Sequence, residues 1–248
     1  MTEPTAAPPA APADAPGLIE DFVDIFISPA KVFARRAKEG GTAAFFIVAI
    51  VLSGIMYTGK NVMEPIMEAQ MSKGMEMAQK RNPQMTAEQM ETGKGFQRKL
   101  QPIFMVIAVP LSLFFVGVLV WIVAKMFGAQ VTFGSSMMIA AYAYIPRIIG
   151  ALGTDIYGLM ADPNTISALT NPVQVSYSPA RFMDVAGDPF VLGALMRLDV
   201  FTLWVTALIG VAYYSAGKLP KDKAALAAVA VLVIGSLFPL WGAWQQRG

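Results

Sequence analysis

The chain has 248 residues, of which 55% are hydrophobic and 15% charged, and its formal net charge is +2. A net charge of +2 says nothing about nucleic acid, and no basic cluster is interleaved with aromatics, so no nucleic-acid partner is expected. The absence of His and Cys removes disulfides, thiol nucleophiles, imidazole bases, imidazole or thiolate zinc sites and ordinary haem ligation together, so no catalytic residue, metal or cofactor is expected.

The apolar residues fall in long uncharged blocks, near the roughly 20 residues with which a helix crosses a ~30 Å hydrocarbon core. The expected fold is an all-α integral membrane protein: five transmembrane helices with an N-terminal amphipathic helix and helical outer loops. Residues 1–17, "MTEPTAAPPAAPADAPG", form a Pro/Ala-rich tail that cannot bury enough apolar surface to order itself. The tail has neither the basic start nor the apolar core of a signal peptide.

Residues 18–41 read as a cytoplasmic amphipathic segment. Leu18, Ile19, Phe22 and Phe26 recur on one helical face. Ser28 offers an N-cap and Pro29 suits a first helical position, while Gly40 and Gly41 stop the helix. Lys31, Arg35, Arg36 and Lys38 then place basic groups just before a span. In the headgroup layer each would meet anionic lipid, worth about 1 kcal/mol apiece. The segment either orients the protein or offers a surface to a partner.

The spans follow at about 42–59, 102–126, 131–153, 198–217 and 224–244. Between the first two lies a Met-rich outer loop, 60–101, with Met63, Met67, Met71 and Met75 at four-residue steps along one helix face. Thioether sulfurs can take copper(I), but without His or Cys beside them the stripe reads as flexible packing. Thr86 with Gln89 is a capping-box pattern opening a second loop helix, which Pro102 is expected to close. In the second outer loop, Asp162–Pro163 and Asp188–Pro189 are cap-then-N1 signals for short helices. Lys and Arg in the short segments place the N-terminus in the cytoplasm and, after five spans, the C-terminus outside.

The third span, "AYAYIPRIIGALGTDIYG" at its centre, carries Pro146 and Arg147 inside an apolar run. Arg147 lies about 24 Å along a helix rising 1.5 Å per residue, and an unpaired Arg at a span's centre costs at least ~2.5 kcal/mol. Asp199 enters span four from the same side and Asp155 lies about two turns beyond Arg147. Pro146 frees the carbonyl of Tyr142 for Arg147 or a water. Together with Tyr144 these residues form a candidate intramembrane polar cluster. Three readings stay open: an Arg147–Asp199 pair locking two helices, the same groups lining a polar cavity, or Arg147 snorkelling to the interface.

"FISPAKVFAR" before the first span, "AYAYIPRIIGAL" in the third and "LDVFTLWVTALIGVAYYSAGKLPKDKAA" across the fourth and fifth resemble the Yip family, the Yip-one domain of Ypt/Rab-interacting membrane proteins, in its bacterial branch. The resemblance covers about residues 20–245, and the Met-rich loop is its least family-like part. It implies five spans, a cytoplasmic N-terminus and residence in a bacterial inner membrane. Eukaryotic relatives engage small Rab-type GTPases in vesicle traffic, whereas some bacterial ones look like accessory subunits beside transporters.

Two functions are therefore carried forward. One is a non-catalytic accessory or scaffold whose partners are the bilayer and another membrane protein or transporter subunit, with oligomerisation left open. The other is a transporter or channel-like protein moving a small solute, lipid or ion through a cavity near Arg147 and Asp199. Small residues in spans three and five, among them Gly134, Ser135, Ala140, Gly235 and Ser236, favour close helix packing over an open pore.

Overall fold

A computed structural model describes residues 17–37, 42–84 and 86–247. The tail 1–16, Lys38, Gly40 and Gly41 lie outside them. Among the described residues every regular element is helical.

α1 (Leu18–Ile27) and α2 (Pro29–Arg36) meet at Ser28, with Pro29 opening α2 as predicted, but the Ser28 side chain makes no capping hydrogen bond. The face of α1 differs from the expected one: Asp21 and Ile25 are buried, whereas Ile19, Val23 and Ile27 are exposed. A buried carboxylate needs charged donors, and α2 supplies them, which turns the helix so that Ile19, Val23 and Ile27 look outward. Phe33 and Val32 of α2 join the main core, and Phe26 packs edge-on against Trp204 with ring centroids 5.5 Å apart. The pair is thus wedged against the bundle.

α3 (Thr42–Thr58) continues into α4 (Lys60–Arg81) through a 79° bend at Gly59. Val62 and Ile66 bury one side of α4, leaving Met63, Met67, Met71 and Met75 half-buried. α5 (Ala87–Phe127) opens on the predicted Thr86–Gln89 capping box and then runs unbroken for 41 residues. Pro102 does not end it. An interior proline removes one hydrogen bond, and the strongly apolar run beyond carries the helix on as a span.

Thr132 caps α6 (Phe133–Tyr144), and α7 (Pro146–Met160) follows after Ile145. The two read as one 28-residue membrane segment, longer than the expected 131–153. Asp162 caps α8 (Pro163–Ser167), two 3-10 turns occupy Pro172–Val175 and Pro179–Phe182, and Asp188 caps α9 (Pro189–Met196). α10 (Val200–Ser215) and α11 (Lys221–Gln245) complete the chain.

Three segments are each long and apolar enough to cross a membrane: Val106–Phe127, Phe133–Met160 and Lys221–Gln245. Counting each bent pair, α3–α4 and α9–α10, as one span gives up to five among the described residues. The chain is an all-α, multi-pass membrane protein. The core sits where α3, α5, α6, α10 and α11 meet, and Tyr142 and Tyr213 are its largest fully buried side chains. The Tyr213 hydroxyl donates to the Val120 carbonyl at 2.7 Å, tying α10 to α5. Gly210 lets α10 approach α11 so closely that an added Cβ would stand 3.4 Å from that of Ala228.

The helix directions sort the short elements to two ends. At one, Ser135 of α6 donates to the Ala37 carbonyl at 3.0 Å, and the Gln130 amide donates to Gly217 at 2.8 Å. At the other lie the α3–α4 bend, α8, the 3-10 turns and α9. There Arg247 pairs with Asp188 at 2.6 Å, and that guanidinium holds the Asp188 carboxyl below its ordinary range.

Candidate functional site

At this second end a cavity of about 490 Å³ opens among α3, α5, α7 and α10. Each side chain reaches it for a local reason. Pro146 breaks the third span; the Ile145 amide donates to Tyr142 at 3.3 Å, which satisfies the carbonyl that the proline was expected to leave free. The break leaves Tyr144 and Arg147 on the cavity wall. Arg147 stacks over the Tyr144 ring, 5.3 Å from its centroid, and donates to Thr202 Oγ1 at 2.8 Å. Its Nε is buried without a hydrogen-bond partner.

Asp199 does not pair with Arg147. Its Oδ1 accepts from the amides of Phe201 and Thr202 at 3.0 and 3.2 Å, and its Oδ2 from the amide of Tyr177 at 3.1 Å. The carboxylate is an N-cap, placed where the helix dipole favours negative charge, and it also anchors the preceding loop. Thr202, whose amide binds Asp199 and whose hydroxyl receives Arg147, stands between the two.

Asp155 also sits apart from Arg147. It accepts from Thr58 Oγ1 at 2.7 Å and lies against Gly59, so it braces the α3–α4 bend. Tyr142 is buried elsewhere in the core and donates its hydroxyl to Asp21 at 2.9 Å. The six candidate residues therefore divide: Tyr144, Arg147 and Asp199 line the cavity, Pro146 shapes it, and Asp155 and Tyr142 serve other contacts.

The expected membrane-surface group divides too. Asp21 is fully buried, and Arg35 and Arg36 both bind it as salt bridges. Arg35 also reaches Asp24 at 3.1 Å. These two arginines face into the protein because a buried carboxylate without cationic partners would be far costlier than an exposed guanidinium is favourable. Lys31 is exposed, and Lys38 falls outside the described residues.

The match to known families comes from the whole of this frame. The family model of the Yip1 domain matches residues 23–242. The chain belongs to the Yip1 domain family. No curated protein and no solved structure matches it. The matched range takes in the end of α1, all of α2, the bent spans and the cavity.

Sequence reasoning missed Arg197 and Asp21. Arg197 lines the same cavity as Arg147, and its Nε too is buried and unpartnered. Its signal was available: Arg197 sits between the apolar runs of α9 and α10 much as Arg147 sits within span three. Asp21 was legible only as one acid on an amphipathic helix, and the pairing with Arg35 and Arg36 depends on the turn at Ser28. Tyr177 carried no signal. It arrives from a loop, donates its hydroxyl to the Gly150 carbonyl at 3.1 Å and crosses Phe201 edge-on at 5.1 Å.

Proposed function

We propose that this Yip1-domain protein is a non-catalytic accessory or scaffold for other membrane proteins, in a bacterial inner membrane, with a cytoplasmic N-terminus and the C-terminus outside. The observation that carries this reading is the length of α5. Of its 41 residues, the membrane-crossing segment takes the 22 from Val106 to Phe127. The remaining 19 extend beyond it as one helix, about 28 Å at 1.5 Å per residue. With α4 it makes a helical arm outside the span, and Phe96 stands 64% exposed on it. A helical arm with an exposed aromatic suits binding, since aromatic anchors dominate interface energetics.

The test is affinity purification in mild detergent, with reciprocal capture. A membrane protein should co-purify in a fixed ratio, and Phe96→Glu should reduce its recovery at least tenfold while the Yip1-domain protein itself stays folded. A partner retained equally by Phe96→Glu would remove the arm from the interface. The cavity favours the second reading, a protein moving a small solute, lipid or ion past Arg147. Solute or lipid movement by the isolated chain in liposomes would establish that reading over the first.

A further inference from the structure

We propose that the cavity between α3, α5, α7 and α10 binds a phosphate-class oxyanion through Arg147 and Arg197. Two guanidiniums line one enclosure of about 490 Å³, a volume in the range of small-ligand sites. A guanidinium is a fixed cation. Two like charges sharing a partly desolvated site repel each other, and such an arrangement persists where something supplies negative charge.

Among the described residues lining the cavity, only one supplies it. Asp199 is the one carboxylate among the lining residues, and its oxygens are taken by the amides of Phe201, Thr202 and Tyr177. The cavity wall therefore carries an excess positive charge. The Nε atoms of both arginines are buried and have no hydrogen-bond partner. Neither guanidinium, with five N–H donors, is therefore fully satisfied by the chain.

The geometry of the groups selects the class of acceptor. A guanidinium presents its N–H groups in a planar fork that matches two oxygens of a phosphate. The Tyr144 ring under Arg147 and the Thr202 hydroxyl beside it hold that fork in place. Leu52, Val109 and Phe201 close the wall with apolar surface, so the bound phosphate can belong to an amphiphile as well as to a free ion. Lipid headgroup and free phosphate share this chemistry, and the experiment separates them. The inference stands apart from the accessory reading: loss of the partner leaves oxyanion binding intact, and loss of oxyanion binding leaves capture through Phe96 intact.

The test uses the full chain in detergent, stripped of lipid. Native mass spectrometry counts retained lipid, and tryptophan fluorescence follows thermal unfolding. The probes are phosphatidylglycerol, phosphatidylcholine and inorganic phosphate. Retention of phosphatidylglycerol over phosphatidylcholine, whose own ammonium neutralises its phosphate, would identify a lipid headgroup. A thermal shift with inorganic phosphate alone would identify a free oxyanion. In either case Arg197→Gln and Arg147→Gln should each weaken binding roughly ten- to hundredfold, the range for losing a charged hydrogen-bond partner. Arg197→Lys should recover part of the loss, and Lys223→Gln, at the other end of the molecule, should change nothing. Equal binding by the Arg147→Gln, Arg197→Gln double variant would overturn the proposal. Should that variant fail to fold, the wild-type protein still decides: no preference between the two lipids and no response to phosphate would overturn it as well.

Discussion

Asp199 shows how a charge in an apolar stretch acquires a role. A carboxylate facing an arginine one helix away suggests an ion pair, yet at a helix start it meets amides sooner than it meets a distant side chain. Three backbone N–H groups take its oxygens, and Arg147 turns to Thr202 instead. The cap makes a prediction that a counter-ion would not share. Asp199→Ala should cost about 1–2 kcal/mol of stability, the usual range for a lost N-cap. Asp199→Ser should restore most of it, because a hydroxyl accepts from the same amides without carrying charge. Thermal or denaturant unfolding in detergent checks this, and a serine variant as damaged as the alanine one would return Asp199 to an electrostatic role. Asp21 follows the opposite course: it lies in the first turn of α1 but caps no amide, is fully buried, and draws both Arg35 and Arg36 inward.

Helices in this protein are shaped by where small residues permit contact. Gly150 on α7 faces the Phe201 ring so closely that an added Cβ would stand 2.7 Å from two of its carbons. A ring cannot bend away as a long aliphatic chain can, so Gly150→Ala should lower stability by roughly 1–3 kcal/mol, the usual cost of overpacking. Pairing it with Phe201→Leu should recover part of the loss, a coupling that a double-mutant unfolding cycle would measure. Additive losses would show that the two helices do not meet at this point. Capping signals served well in forecasting element starts: Thr86, Asp162 and Asp188 all hold the helix amides their neighbours suggested. Helix ends were harder to read, since Pro102 does not stop α5 and span three runs to Met160. A cap acts through local bonds, whereas the end of a helix also depends on what packs beyond it.

For the molecule as a whole, the proposed five-span topology puts the two groups of short elements on opposite faces of the membrane. Thr165 on α8 and Lys223 at the start of α11 are both exposed, and the chain has no Cys of its own. An impermeant maleimide should label Thr165→Cys in intact cells, and label Lys223→Cys only after the membrane is opened. Labelling of both from outside would break the five-span topology, and the reverse pattern would invert it.

Composition and hydropathy were enough to establish a helical, multi-pass membrane protein, because covering a bilayer with hydrogen-bonded backbone leaves few alternatives. The same sequence marked Arg147 as exceptional, since charge inside an apolar run stands out wherever the chain goes. It did not reveal that Arg35 and Arg36 turn inward, or that Arg147 and Arg197 share a cavity while Asp199 is occupied by amides. Those outcomes depend on which helices become neighbours. Residues separated by 14 or 50 positions share an environment only after the chain has packed, and each charged group then takes whichever partner that packing brings within hydrogen-bond reach.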